Sequence, residues 1–274
     1  MSFLRSLVNG RPESRVEITC RGLQYGDGLF ETVAVRNDEP LLWDAHLDRL
    51  AAGVVRLGLT PFDRALLTAE AQSLARDTRH AILKVILVRA SSGRGYRGSS
   101  SETDRILSLW PWPQRRTLDK GMEVGWCTTR LARQPRLAGL KHLNRLEQVL
   151  AQQELGDRFA EGLMQDMEGW VVEATMSNLF IGEGGVLVTP CLDHAGVAGV
   201  MRARVMAHAR DLSIDVRVEP LSQERILDAD ELFLTNSIIG IAAVDTLPER
   251  DYRAGPLARE LGEALGRHGD VAFP

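Results

Sequence analysis

Nine residues, Ala81 to Arg89, constrain the fold most. They form a mostly apolar run rich in isoleucine and valine, which predicts a buried strand. The loop that follows, Ser91-Ser92-Gly93-Arg94-Gly95-Tyr96-Arg97-Gly98, contains a literal G-x-G-x-x-G. In a dinucleotide-binding βαβ unit a helix opens directly from that loop. Here Ser99-Ser100-Ser101-Glu102-Thr103-Asp104 is polar loop instead, and Arg105 to Trp110 predicts another strand. The doubly wound nucleotide fold is thereby excluded. The Arg-Gly-Tyr-Arg loop reads as an anion-contacting segment or as a plain exposed turn. Two helices precede the strand, Trp43–Gly58 and Asp63–Arg76, so the first half runs strands, two helices, strands. That order is α+β rather than alternating βαβ.

Upstream, Arg21 to Thr32 holds three glycines in seven residues, a backbone that turns tightly or admits a ligand closely. Leu29 to Arg36 then predicts a strand, with Asn37-Asp38 as its hairpin turn. In the first helix Asp44 is the expected N-cap. Leu47, Leu50, Ala51, Val54 and Leu57 form the apolar stripe, and Arg49 lies beside it, facing either a cleft or water. The aromatic and proline run Trp110-Pro111-Trp112-Pro113-Gln114, followed by Arg115-Arg116, is the expected domain junction. It divides the chain into 1–113, a smaller N-terminal domain, and 114–274, a larger C-terminal one.

The second half opens with a predicted strand, Glu123–Thr128. Leu143, Leu146, Val149 and Leu150 then recur at helical spacing and predict a helix with one face packed inward. Lys141 stands at its mouth; a lysine held there and desolvated becomes a nucleophile toward carbonyls. Gly162–Asp166 and Trp170–Thr175 predict paired strands, as do Asn178–Ile181 and Val186–Thr189. Glu173 falls inside the apolar stretch Val171 to Thr175, where a carboxylate needs a partner or an outlet to water. Gly196-Val197-Ala198-Gly199-Val200-Met201-Arg202 is a glycine loop entering a helix through Leu212, a ready anion site. It lacks the Lys-Ser/Thr of a P-loop, which argues against nucleotide hydrolysis. Glu231–Leu234 predicts a strand ending in Thr235-Asn236-Ser237, and Pro256–Arg267 a terminal helix.

Bulk properties narrow the function classes. The 274-residue chain is 44% hydrophobic and 26% charged, the balance of an ordinary globular protein, with a net charge of -4 that offers no general field for nucleic acid. Cys20, Cys127 and Cys191 are scattered and odd in number, so neither a disulfide framework nor a metal site is expected, and a reducing cytoplasm is. Met1 to Arg15 carries Arg5 and Arg11 and no apolar core of signal-peptide length, and no run reaches membrane-spanning length.

Together the parts are a lysine, a strand carboxylate 32 residues on, a glycine-loop helix start and a hydroxyl-bearing strand end. Pyridoxal 5′-phosphate calls for such a set: a lysine to bond its aldehyde, a carboxylate for its ring nitrogen and amides for its phosphate. Tyr25-Gly26-Asp27-Gly28-x-Phe30-Glu31-Thr32, His46-Leu47-x-Arg49-Leu50, Lys141-His142-Leu143-Asn144-Arg145, Glu173-Ala174-x-x-Ser177-Asn178-Leu179-Phe180 and Gly196-Val197-x-Gly199-Val200-Met201-Arg202 resemble the fold-type IV pyridoxal-phosphate enzymes. The resemblance covers nearly the whole chain.

It implies a two-domain α+β, or α/β, enzyme with the cofactor in an interdomain cleft, working as a cytoplasmic homodimer in which loops of one subunit close the other's site. Lys141, in the C-terminal domain, would bond the cofactor, and Glu173 would meet its ring nitrogen. Arg49, the amides of Val200 and Met201 and the hydroxyl of Ser237 would hold its phosphate. The segment at Thr235 to Ile238 departs from the hydroxyl-rich version in the family's aminotransferases. The Gly-Arg-Gly-Tyr loop and the run Leu140 to Gln148 resemble the family's lyase branch. The implied reaction is loss of pyruvate from 4-amino-4-deoxychorismate to give 4-aminobenzoate, a folate precursor; the alternative is transamination of D- or branched-chain amino acids. Lys141 would move the proton at the amine-bearing carbon, with Thr32 nominated as proton donor to the leaving group. Arg94, Arg97 and Arg145 are expected near the substrate's two carboxylates, with Tyr96 as a hydrogen-bond donor and Tyr25 and Phe30 beside the substrate.

Overall fold

The fold was read from a computed structural model that describes residues 3–90, 94–98, 102–113, 121–253 and 255–272. The chain divides into two compact units, Met1–Gln114 with Leu140–Asn144, and Arg115–Gly139 with Arg145–Pro274. The end of the expected junction, from Gln114 to Arg116, lies outside the described residues, as do Ser91–Gly93 and Ser99–Ser101 of the glycine loop.

The first unit runs β1 (Arg5–Val8), β2 (Arg11–Pro12), α1 (Arg21–Tyr25), β3 (Gly28–Arg36), β4 (Glu39–Pro40), α2 (Trp43–Leu57), α3 (Arg64–Ala75), β5 (His80–Arg89) and β6 (Thr103–Pro111). Its six strands form one sheet in the order β2-β1-β6-β5-β3-β4. The β3–β4 hairpin turns on Asn37 and Asp38, both at positive φ (49° and 71°), the geometry that matches strand twist. Period-two alternation sends Val33, Val35, Leu83, Val85, Leu87, Leu107 and Leu109 into the core. Leu47, Leu50 and Val54 of α2 and Leu67, Ala71 and Leu74 of α3 are buried with them, each large side chain contributing roughly 1.5–3 kcal/mol by leaving water. The intervening residues of the same strands, Phe30, Thr32, Lys84, Ile86 and Ser108, stay half-buried and mark the other face.

Two expected helix starts fare differently. The residue capping α2 is Leu42, in the left-handed region, and Asp44 sits inside the first turn, where its charge meets the positive end of the helix dipole. In α3 the helix start at Asp63 does hold: its carboxylate accepts from the amides of Ala65 and Leu66.

The second unit runs β7 (Met122–Trp126), α4 (Leu146–Leu155), β8 (Glu161–Gln165), β9 (Val171–Ala174), β10 (Asn178–Glu183), β11 (Val186–Pro190), α5 (Val200–Asp211), β12 (Val216–Glu219), α6 (Gln223–Asp228), β13 (Glu231–Asn236), β14 (Gly240–Leu247), β15 (Arg250–Asp251) and α7 (Pro256–Arg267). Its sheet follows β12-β11-β10-β13-β14-β7-β8-β9, with β15 paired to β14. Leu163, Leu179, Ile181, Leu232, Leu234 and Val244 fill its core. The rings of Phe180 and Phe233 stack at 5.2 Å across β10 and β13.

The lysine helix differs most from its expectation. Helix α4 begins at Leu146, so Leu143 lies outside it, and Leu146, Val149 and Leu150 are exposed. The buried face is the next one round: Ala151 and Leu155 join Cys127, Met164 and Val172 in a separate cluster. Nor does Lys141 ride the helix mouth. Lys141, His142 and Leu143 pair with the start of β3, and residues 140–144 cluster with the first unit.

Candidate active site

In the first unit Lys141 is placed by backbone pairing. An antiparallel bridge joins Leu29 to His142, the Phe30 amide donates to the Lys141 carbonyl at 2.9 Å, and the Leu143 amide donates to the Gly28 carbonyl at 3.1 Å. Gly28 permits this approach: a Cβ there would stand 3.0 Å from Leu143 Cδ1, and 2.3 Å from the Leu87 carbonyl oxygen on the neighbouring strand. The pairing makes Lys141 and Phe30 cross-strand neighbours, side chains on one face. Lys141 Nζ lies 4.5 Å from the Phe30 ring centroid.

A second lysine shares that ring. Lys84 Nζ is 5.2 Å from the same centroid, and Lys84 sits opposite Thr32 in the β3–β5 register. Burial pushes its ammonium below the usual lysine range. Phe30, Thr32, Lys84 and Lys141 therefore form one cationic, half-buried cluster. Motif spacing does not single out Lys84; its one signal in the sequence is a lone charge inside an apolar strand.

Arg49 is reached from the helix-covered face. Its guanidinium forks onto the Glu31 carboxylate, Nε donating at 2.7 Å, and His46 Nδ1 lies 2.6 Å from the other oxygen. Burial raises the Glu31 pKa, but the charge of Arg49 and the hydrogen bonds from His46 and Arg49 outweigh it, leaving it at about 2.

The glycine loop is tied down from below. Buried Arg21 donates to the carbonyls of Gly95 (2.9 Å) and Tyr96 (3.1 Å) and pairs with Asp27 at 2.9 Å. Tyr25 accepts from the Gly95 amide through its hydroxyl and meets Tyr96 edge-on. Arg94, Tyr96 and Arg97 are exposed at the tip.

In the second unit Glu173 is 5% exposed, which settles the alternative left by its strand position. Its carboxylate accepts the Val197 amide at 2.8 Å and the Gln148 side-chain amide at 3.5 Å. Gly196 makes the first contact possible. It holds φ +84°, and a Cβ would come 2.7 Å from Val172 and 3.3 Å from Glu173 Oε2. Gly139 donates its amide to the Gly196 carbonyl along the same loop, and Asn178 donates to the Val197 carbonyl at 2.8 Å. The loop ends at Gly199, which caps α5 with no side-chain bond, so the amides of Val200 and Met201 face outward from an uncapped N-terminus. A Cβ at Gly199 would overlap Asn178 Oδ1 at 2.0 Å. Ser237 lies in the turn between β13 and β14, and Arg145 stands at the start of α4.

The donor set fits pyridoxal phosphate. Gly196 and Gly199 leave backbone where side chains would stand, the helix start is uncapped, and a buried carboxylate sits beside that loop. Gln148 Oε1, next to that carboxylate, is buried with no hydrogen-bond partner among the described residues. Those residues contain no cluster of three or more His, Cys, Asp or Glu that would hold a metal ion. No described helix is long and apolar enough to cross a membrane.

Comparison with known proteins gives the family. The family described as amino-transferase class IV matches residues 28–247. The chain is 36% identical over 262 residues to aminodeoxychorismate lyase of Vibrio harveyi, covering 93% of this chain and 97% of that one. It is 24% identical over 272 residues to D-alanine aminotransferase of Bacillus licheniformis, covering 96% of each. The crystal structure of 4-amino-4-deoxychorismate lyase from Pseudomonas aeruginosa superposes with a TM-score of 0.92 at 42% identity, covering 97% of this chain and 100% of that one.

Proposed function

The chain belongs to the amino-transferase class IV family, and we propose roles for its residues on that basis. Its cofactor is pyridoxal 5′-phosphate, and its reaction is the release of pyruvate from 4-amino-4-deoxychorismate, leaving 4-aminobenzoate. The observation that carries the substrate is likeness to two such lyases over nearly the whole chain, against a lower identity to the aminotransferase.

When bound, the cofactor supplies an electron sink for the pair left at the amine-bearing carbon. Lys141 would anchor it until the substrate's amine takes its place, and the freed Lys141 amine would then take the proton from that carbon, the adjacent bond to the enolpyruvyl oxygen breaking as the ring aromatises. Phe30 packs the lysine chain and limits its wandering. Glu173, fixed by Val197 and Gln148, meets the ring nitrogen. The amides of Val200 and Met201, the Ser237 hydroxyl and Arg49 hold the phosphate. The five-donor fork of Arg49 serves Glu31 and a phosphate together. Lys84 is placed to take one substrate carboxylate, and Arg94, Arg97 and Arg145 are candidates for the other, with Tyr96 and Tyr25 beside them. Thr32, opposite Lys84, is the hydroxyl nominated to protonate the leaving enolate.

The product precedes folate. The exposed apolar residues of α4 support pairing with a second copy, and the scattered free thiols support a cytoplasmic setting. The test is a product assay with 4-amino-4-deoxychorismate, run beside D-alanine and L-leucine with 2-oxoglutarate. Equal pyruvate and 4-aminobenzoate with little amino transfer is the expected result. Fast transamination without 4-aminobenzoate would overturn the substrate assignment and leave Lys141 and the cofactor in place.

A further inference from the structure

We infer that Glu161, Ser177 and Asn236 form a relay of fixed hydrogen-bond direction that positions Ser237, so that three residues outside the cofactor set control how firmly the phosphate is held. The inference rests on the assignment of Ser237 to the phosphate.

The direction follows from the two ends. Backbone amides can only donate, and those of Ile238 and Ile239 point at Asn236 Oδ1 at 2.8 and 2.9 Å. The amide nitrogen of Asn236 must then face the other way, where Ser177 Oγ accepts from it at 2.9 Å. A hydroxyl has one proton. Ser177 gives it to Glu161 Oε1 at 2.6 Å. The second oxygen of Glu161 accepts the Met176 amide at 2.9 Å. Glu161 is 1% and Ser177 4% exposed, so water does not substitute for a missing partner. The relay works only if its buried end accepts and never donates. Burial, and after it the negative charge of Glu173, push the Glu161 carboxyl up, while the Ser177 and Met176 donors pull it down. Those donors are the groups that make a carboxylate tenable in the core.

The consequence lies at the far end. Asn236 ends β13, and its Oδ1 closes the turn that carries Ser237 before β14 begins at Gly240. If Glu161 becomes a glutamine, its oxygen stays with the Met176 amide and its NH2 faces Ser177. Ser177 can accept from both side-chain amides, but its own proton then lacks its acceptor. Either that proton stays unpaired in the core or Asn236 flips, which sets an NH2 group against the amides of Ile238 and Ile239 and opens the turn; both outcomes weaken the relay. Asn236→Asp fails for the complementary reason: two carboxylates compete for one hydroxyl proton. The double variant Glu161→Gln/Asn236→Asp reverses the direction at Ser177 and satisfies every group again. The new side-chain amide at position 161 donates to Ser177. Ser177 in turn donates to the new carboxylate at position 236, which still accepts both backbone amides.

The experiment measures release of pyridoxal phosphate from the holoenzyme by its visible absorbance, with hydrogen exchange of the Ile238–Ile239 segment. Each single variant should release the cofactor about tenfold faster, and the double variant should return to within about threefold of the parent. Ser177→Ala, which breaks the relay without touching a charge, should match the single variants. Release at the parent rate in Glu161→Gln, or a double variant as leaky as the two singles combined, would overturn the inference. If exchange of the turn rises and recovers as described while release never changes, the relay exists but Ser237 does not hold the phosphate. That result overturns the positioning role and the Ser237 assignment, leaving the rest of the cofactor set intact.

Discussion

Lys84 is the residue whose role the strand alternation decides. On an α2-facing position its charge would be buried against Leu50 and Val54; on the other face it is half-buried, beside Phe30 and opposite Thr32. A half-buried ammonium is a strong partner for a carboxylate, because less water competes for it. Lys84→Met keeps the stem and removes the charge. It should raise KM for 4-amino-4-deoxychorismate by about tenfold to a hundredfold, the worth of a charged hydrogen bond, while the bound-cofactor absorbance stays. The ammonium form does the binding, and burial lowers its pKa. KM should therefore rise with pH earlier than an exposed lysine would allow, and the Lys84→Arg variant should shift that rise to higher pH. A KM unchanged in Lys84→Met would remove the residue from the substrate site. Lys141→Ala makes the contrasting statement: it should abolish pyruvate release and the covalent cofactor band together.

At the scale of elements, the helix start at Gly199 depends on the loop before it. Gly196→Ala adds a Cβ 2.7 Å from Val172 at a φ of +84°, so both strain and overlap oppose it. The cost should be about 1–3 kcal/mol, seen as a lower thermal midpoint and faster loss of the cofactor band. This loop was legible in the sequence, as was Glu173, because glycine spacing and a lone carboxylate in an apolar strand are local signals. Strands such as β5 and β6 were legible for the same reason. The α4 face was not. Leu146, Val149 and Leu150 have helical spacing, yet periodicity reports only that a face is apolar, not what covers it. Ala151 and Leu155 won the core side because they meet Cys127 and Met164. The placement of residues 140–144 was hidden for a related reason: the pairing partner, Leu29, lies far upstream in the chain. The same kind of distance concealed the relay from Glu161 to Asn236, whose members no spacing connects.

The whole molecule should answer acid in two ways at once. In the first unit Glu31 has an ordinary value of 4.5 when unfolded and about 2 when folded. A group lowered by folding adds stability that is complete above 4.5 and is lost as pH falls toward 2. Glu31 is 1% exposed, so little screening reduces it, and the span corresponds to about 3 kcal/mol at roughly 1.36 kcal/mol per pKa unit. In the second unit Glu161 is raised by burial and by Glu173, so its contribution has the opposite sign: acidification from its folded value down to 4.5 adds stability to that unit. Between pH 4.5 and 2, then, the first unit loses what Glu31 supplies while Glu161 has nothing left to lose. Hydrogen exchange on the holoenzyme should show β3 and α2 opening at a higher pH than β8 and β13. Glu31→Gln should flatten the acid response of the first unit and lower its stability near neutrality, because Arg49 keeps its charge and loses its carboxylate. Simultaneous opening of both units in the parent, with an acid midpoint that Glu31→Gln does not move, would show that neither carboxylate governs the response.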